Sequence, residues 1–148
     1  MAKSPSLEHL SNVLRQLDAG VGWLRRSYDQ SVSVGIKASY SPEEYDTFEN
    51  LTSRYARLVD LLVNKALRSL DAVELHEPGT LIDSANRAVS RGLVDAVDAL
   101  RRLKDLRNDI AHEYLTEDLA ELFEEVLDTT PELLSLAERV SQYGRKLL

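Results

Sequence analysis

Apolar residues recur along most of this chain at intervals of three and four, the spacing that lines one face of an α-helix. Leu7, Leu10, Leu14, Leu17, Val21 and Leu24 set the pattern and predict a first helix from Leu7 to about Tyr28. The period fails from Ser31 to Ser41, around Gly35, and returns after Ser41-Pro42-Glu43-Glu44. That tetrad predicts a helix start. Ser41 serves as N-cap, Pro42 sits where its missing N–H costs nothing, and Glu44 reaches back to complete a capping box. Tyr45, Phe48, Tyr55, Leu58, Leu62, Ala66 and Leu70 then mark a long second helix that ends at the Glu77-Pro78-Gly79 break.

Thr80 with Asp83 three residues later predicts a short third helix, which Gly92 ends. Val94, Val97, Leu100, Leu103 and Leu106 carry a fourth. Thr116, Glu117 and Asp118 start a fifth, the two carboxylates suiting the positive end of the helix dipole, with Leu119, Leu122, Phe123 and Val126 on its apolar face. Thr130-Pro131-Glu132 repeats the cap-and-proline signal and predicts a separate or kinked last helix through Leu133, Leu136, Ala137, Val140 and Leu147. No strand pattern, internal repeat, Gly-rich phosphate loop or zinc spacing is present. The fold expected is all-α, an antiparallel bundle of about five to six helices in one domain spanning 1–148.

At 43% hydrophobic and 29% charged residues, the 148-residue chain has the balance of a folding globular domain rather than of a disordered one. The absence of cysteine excludes disulfides and thiolate metal sites and makes a reducing, cytoplasmic setting the expectation. No signal-peptide core and no stretch near the ~18 apolar residues of a membrane span is visible, so neither secretion by that route nor a membrane association is expected. A net charge of −7 argues against broad binding of a polyanion. Any nucleic-acid contact must rest on a local cationic patch.

One stretch gathers residue types able to do chemistry: Arg107-Asn108-Asp109-Ile110-Ala111-His112-Glu113-Tyr114. A histidine titrating near neutrality beside a permanently charged guanidinium suffices to cut RNA, because the substrate's own 2′-hydroxyl is the nucleophile. No metal or cofactor is then required. His112 would act as general base or acid, and Arg107 would bind the scissile phosphate and stabilise the transition-state charge. Asn108, one turn before His112, faces the same way and could orient the imidazole. Arg107 and His112 are about 140° apart on a straight helix. They converge only if the arginine curls round, if the helix loosens, or if a second copy of the chain completes the site. Upstream, Arg101, Arg102 and Lys104 make the most basic patch in an acidic chain and the expected seat of an RNA backbone. In the plainer reading, Arg107 pairs with Asp105 or Asp109 and the upstream cations form a solvated face. His9 and His76 read as surface residues, and Trp23 with Tyr28 as core or dimer interface rather than a base-stacking platform.

This R-x4-H-x-Y spelling near the end of a helix resembles the hallmark of the HEPN superfamily, and in particular the HepT-like ribonuclease toxins of toxin–antitoxin pairs. Arg107, His112 and Tyr114 match its three hallmark positions, and Asn108 the polar position after the arginine. The resemblance implies a homodimer whose motifs face one another in a composite RNA-cleaving cleft. It also implies a partner, a minimal nucleotidyltransferase antitoxin that uses ATP to adenylylate the motif tyrosine, here Tyr114, and so blocks the site. The long second helix and the loop before it also resemble the often non-catalytic substrate-binding subunits of nucleotidyltransferases.

Overall fold

Ser4 opens the first helix, α1 (Pro5–Val34), its hydroxyl accepting the Leu7 N–H with Pro5 in the first turn. The description that follows rests on a computed structural model and covers residues 4–113 and 119–148. α1 runs past Tyr28, where the expected helix ended, because Ser31 and Val34 continue its inner face with residues other than the large apolar ones that mark a helix in sequence. Gly35, at φ 76°, closes it by donating its N–H to the Ser31 carbonyl at 2.9 Å.

The capping box at Ser41 and Glu44 forms as expected and opens α2 (Pro42–Leu61), which passes without a loop through a π turn (Leu62–Ala66) into α3 (Leu67–Val73). The buried residues explain the π turn. Leu58, Leu62, Ala66 and Leu70 form one row and Val59, Val63, Leu67 and Asp71 a second, each at a constant interval of four. On an α-helix that interval drifts about 40° per step. A widened turn, in which the Leu67 N–H reaches the Leu62 carbonyl, absorbs the drift and keeps both rows in the core.

Thr80 and Asp83 build the second capping box, at the head of α4 (Leu81–Ser90). The next helix, α5 (Val97–Glu113), begins after Val94, which the periodicity had included; Leu93 and Val94 are buried from the connecting segment. The expected start at Thr116 lies outside the described residues. Of the two expectations at Thr130-Pro131, a separate or a kinked last helix, the separate one is corrected, because the last element is one continuous helix, α6 (Leu119–Leu147), with Pro131 inside it. Leu122, Val126, Thr130, Leu133, Ala137, Val140 and Gly144 are buried at helical spacing on both sides of it. Keeping that stripe in the core outweighs the loss of one backbone bond, which costs about 3 kcal/mol. The Thr130 hydroxyl donates to the Val126 carbonyl at 2.6 Å.

The chain is thus an all-α bundle. α1 packs on α2 and α6, α5 packs on α2 and α6, and α4 bridges α3 and α5. Phe48 stacks on Phe123 at 5.0 Å, with Tyr40 and Tyr45 against their edges. Gly144 lets α6 approach α1, since a Cβ there would meet a Leu14 methyl at 2.8 Å. The other end is tied by a buried ionic cluster. Asp71 pairs with Arg91 at 2.9 Å and with Arg87 at 3.0 Å and accepts the Ser84 hydroxyl, while Glu74 accepts from Arg91 and from the Tyr143 hydroxyl. No helix of the described residues is long and apolar enough to cross a membrane.

Candidate functional site

α5 is anchored from one side by Tyr55, whose buried hydroxyl donates to the Leu103 carbonyl at 3.1 Å. Burial first, then the nearby negative charges of Glu132 and Glu125, push the pKa of that hydroxyl well above its ordinary value, so it remains a donor. The Leu103 carbonyl also lies one turn before Arg107, where the helix ladder uses it for the Arg107 N–H. The core of α2 therefore fixes the turn of α5 from which Arg107 projects.

Arg107 meets Asp60 of α2 in a two-point clamp. Its Nε donates to Oδ1 at 2.7 Å and its Nη2 to Oδ2 at 2.9 Å. Asp60 thus takes the place that the plainer reading gave to Asp105 or Asp109. Those residues stand two positions from Arg107, and side chains two apart on a helix do not face each other. The clamp raises the already high pKa of the guanidinium through the hydrogen bond and the Asp60 charge, and leaves it 32% exposed, with no hydrogen bond from Nη1 among the described residues. Both residues line an open groove of about 510 Å³ between α2 and α5, which Arg57, Ile110 and Ala111 share.

The other side of α5 carries a second set. Arg101, Asp105, Asn108 and His112 follow one another at intervals of four, three and four, and all four are exposed. They form a single polar stripe about 16 Å long. Asn108 and His112 share it as the sequence predicts; Arg107 does not, being about 140° round the helix. At the head of the stripe, Arg101, Lys104, Asp105 and Asn108 line a groove of about 320 Å³ against Leu81, Ile82 and Ala85 of α4.

The three upstream cations do not make one patch. Arg101 and Lys104 face the α4 groove, with Arg101 also 3.7 Å from Asp98, whereas Arg102 turns to α6 and pairs with Glu132 at 3.0 Å. His9 and His76 are on the surface. Tyr28 is half-buried, but Trp23 is 57% exposed and so is not a core residue. Tyr114 lies outside the described residues. Sequence reasoning did not single out Asp60, Arg57 or Arg54. Among the described residues no cluster of three or more His, Asp or Glu side chains is placed to hold a metal ion.

Chemically, the end of α5 offers an accessible imidazole with an amide one turn behind it, a cationic approach along the α4 side, and a fixed guanidinium on the α2 side. Comparison with protein-family models, with curated proteins and with solved structures finds no match.

Proposed function

We propose that this chain is a metal-independent endoribonuclease of the HEPN type, a HepT-like toxin that works as a homodimer. The observation that carries the reading is the division of α5 into two faces, one presenting His112 with Asn108 and the other presenting Arg107 held by Asp60. One copy cannot bring the imidazole and the guanidinium of a single helix together at one phosphate. Two copies packed around the ends of their α5 helices can, each lending the Arg107 face to the His112 face of the other. In that site His112 moves the proton of the 2′-hydroxyl, and the Nη1 edge of Arg107, which the Asp60 clamp does not use, holds the phosphate and its developing charge. Arg101 and Lys104 steer the strand toward His112 along the α4 groove; Arg102, paired with Glu132, contributes less. The protein belongs, in this reading, in the cytoplasm beside a minimal nucleotidyltransferase antitoxin that silences it by adenylylating Tyr114.

RNA cleavage in chelator-containing buffer tests this. Arg107→Ala and His112→Ala each abolish cleavage while the helical circular dichroism stays unchanged, and mixing inactive His112→Ala with inactive Arg107→Ala chains restores part of the activity, because mixed dimers keep one intact composite site. Cleavage by both single variants at the parental rate excludes the reading. A second reading, a non-catalytic helical subunit that presents substrate to a nucleotidyltransferase, is favoured by the Asp60 carboxylate, which already neutralises Arg107. It predicts a stable complex with that enzyme, no RNA cleavage, and no adenylyl mass increment on Tyr114 after incubation with ATP.

A further inference from the structure

The groove between α1 and α2 differs from the rest of this acidic surface. Gly20, Trp23, Arg54, Arg57, Leu58 and Leu61 line an open cavity of about 270 Å³, and no carboxylate is among them. Trp23 is 57% exposed, and Arg54 lies over its ring with Cζ 5.0 Å from the centroid. Among the described residues, neutral oxygens hold that guanidinium: Nη1 donates to the buried Ser27 hydroxyl at 2.6 Å and to the Trp23 carbonyl at 3.3 Å. Such acceptors set its position without cancelling its charge. Among the described residues no carboxylate lies within ion-pair distance of Arg54 or Arg57, unlike Arg107 on its Asp60. Gly20 keeps the floor open, since a Cβ there would press on Leu58 at 3.0 Å. Arg57 also lines the α2–α5 groove, so the two depressions meet at that residue and lead to Arg107.

An exposed indole beside two arginines that form no ion pair among the described residues, Arg54 held by neutral oxygens, is the chemistry that holds one unit of a single-stranded nucleic acid, with the base stacked and the backbone charge neutralised. We propose that this groove binds a nucleotide of single-stranded RNA, its base against Trp23 over the Leu58 and Leu61 floor and its phosphate on Arg57 and Arg54. The choice of RNA rests on the ribonuclease reading above; the geometry of the groove does not. A second copy of the chain is the less suitable occupant. A two-fold contact through this face would set the arginines of one copy against those of the other, with no carboxylate in the groove to separate them.

Trp23 is the single tryptophan of the chain, so its fluorescence reports the groove directly. The experiment titrates the full chain with a 2′-O-methyl-uridine hexamer, which lacks the nucleophilic hydroxyl and is not cut. The expected result is saturable quenching of Trp23 emission, weakened about tenfold by Arg57→Ala, and binding of a labelled hexamer by Trp23→Ala weakened by about tenfold or more. Inorganic polyphosphate of equal charge competes without quenching. The proposal is overturned if the hexamer leaves the emission unchanged or if polyphosphate quenches equally. It is also overturned if emission follows protein concentration alone and self-association blocks the hexamer, which would assign the groove to a contact between copies. A chain that cuts RNA without quenching by the hexamer sinks the groove alone; one that is quenched but never cuts keeps the groove and sinks the catalytic reading.

Discussion

Leu75 and Gly92 hold the same place in two copies of one helix ending. Each has positive φ, 61° and 75°, and in each the following N–H reaches back into the last turn, His76 to the Asp71 carbonyl at 2.8 Å and Leu93 to the Ala88 carbonyl at 3.0 Å. An L side chain in this conformation costs about 1–2 kcal/mol, and Leu75, 91% exposed, gains no burial in return. Leu75→Gly should therefore stabilise the protein by about 1 kcal/mol and Gly92→Ala destabilise it by about as much, read as opposite shifts of the urea midpoint. The clamp on Arg107 gives a different kind of residue-scale prediction. Asp60→Ala should cost no more than about 1 kcal/mol of stability, because the pair is partly exposed. Under the proposed ribonuclease function it should nonetheless slow RNA cleavage about tenfold or more, because the guanidinium loses its fixed position. At this scale the sequence was legible where helical spacing alone decides, as in Asn108 and His112 sharing one face of α5 with Arg107 off it. Asp60 was not legible, since it lies 47 positions from Arg107 and only the fold joins them. Of the two readings of Trp23, core or dimer interface, the core one fails: an aromatic residue on an amphipathic helix is ordinarily buried, and nothing local revealed that α2 meets α1 beside it rather than over it.

Among the elements, both capping boxes were readable because they are local, spanning four residues each. They also make the molecule acid-sensitive in a defined direction. The pKa of Glu44 is lowered by its bond from Lys37 and then by the Ser41 N–H, and that of Asp83 by the Thr80 N–H and hydroxyl. Each folded carboxyl thus holds its proton more weakly than the unfolded one. The unfolded chain binds more protons in the window between the two values, so stability rises with pH across it and is lost as pH falls through the folded pKa values. Glu44→Gln and Asp83→Asn should flatten the acid limb by lowering stability at neutral and alkaline pH while changing little at the acid end, where the parent carboxyls are already protonated, as thermal melts from acid to alkali would show. Continuity of helices was harder to read. Thr130-Pro131 is a valid start signal, and what overrides it is the apolar stripe that runs on through Val126, Thr130 and Leu133. In α1 the reverse occurred, where the small Ser31 hid two further turns.

Across the whole molecule, two aspartates of the long α2–α3 rod grip arginines from elsewhere in the fold: Asp60 holds Arg107 on α5, and Asp71 holds Arg91 just beyond α4. The second grip is buried, with only 6% and 7% of its side chains exposed. Asp71→Ala leaves the buried Arg91 guanidinium to Glu74, so its cost should stay below the roughly 3–5 kcal/mol of a stranded buried charge, measurable by denaturant unfolding. The π turn lies between the two grips. Removing the exposed Asn64 from it would turn the buried row Leu58, Leu62, Ala66, Leu70 from steps of four, four and four into four, three and four, the rhythm of an ordinary α-helix. Shortening a helix by one residue normally throws everything beyond the cut out of phase. Here the rod carries one residue more than its anchor points require, so the deletion should be tolerated, with both arginines still held and the urea midpoint close to that of the parent.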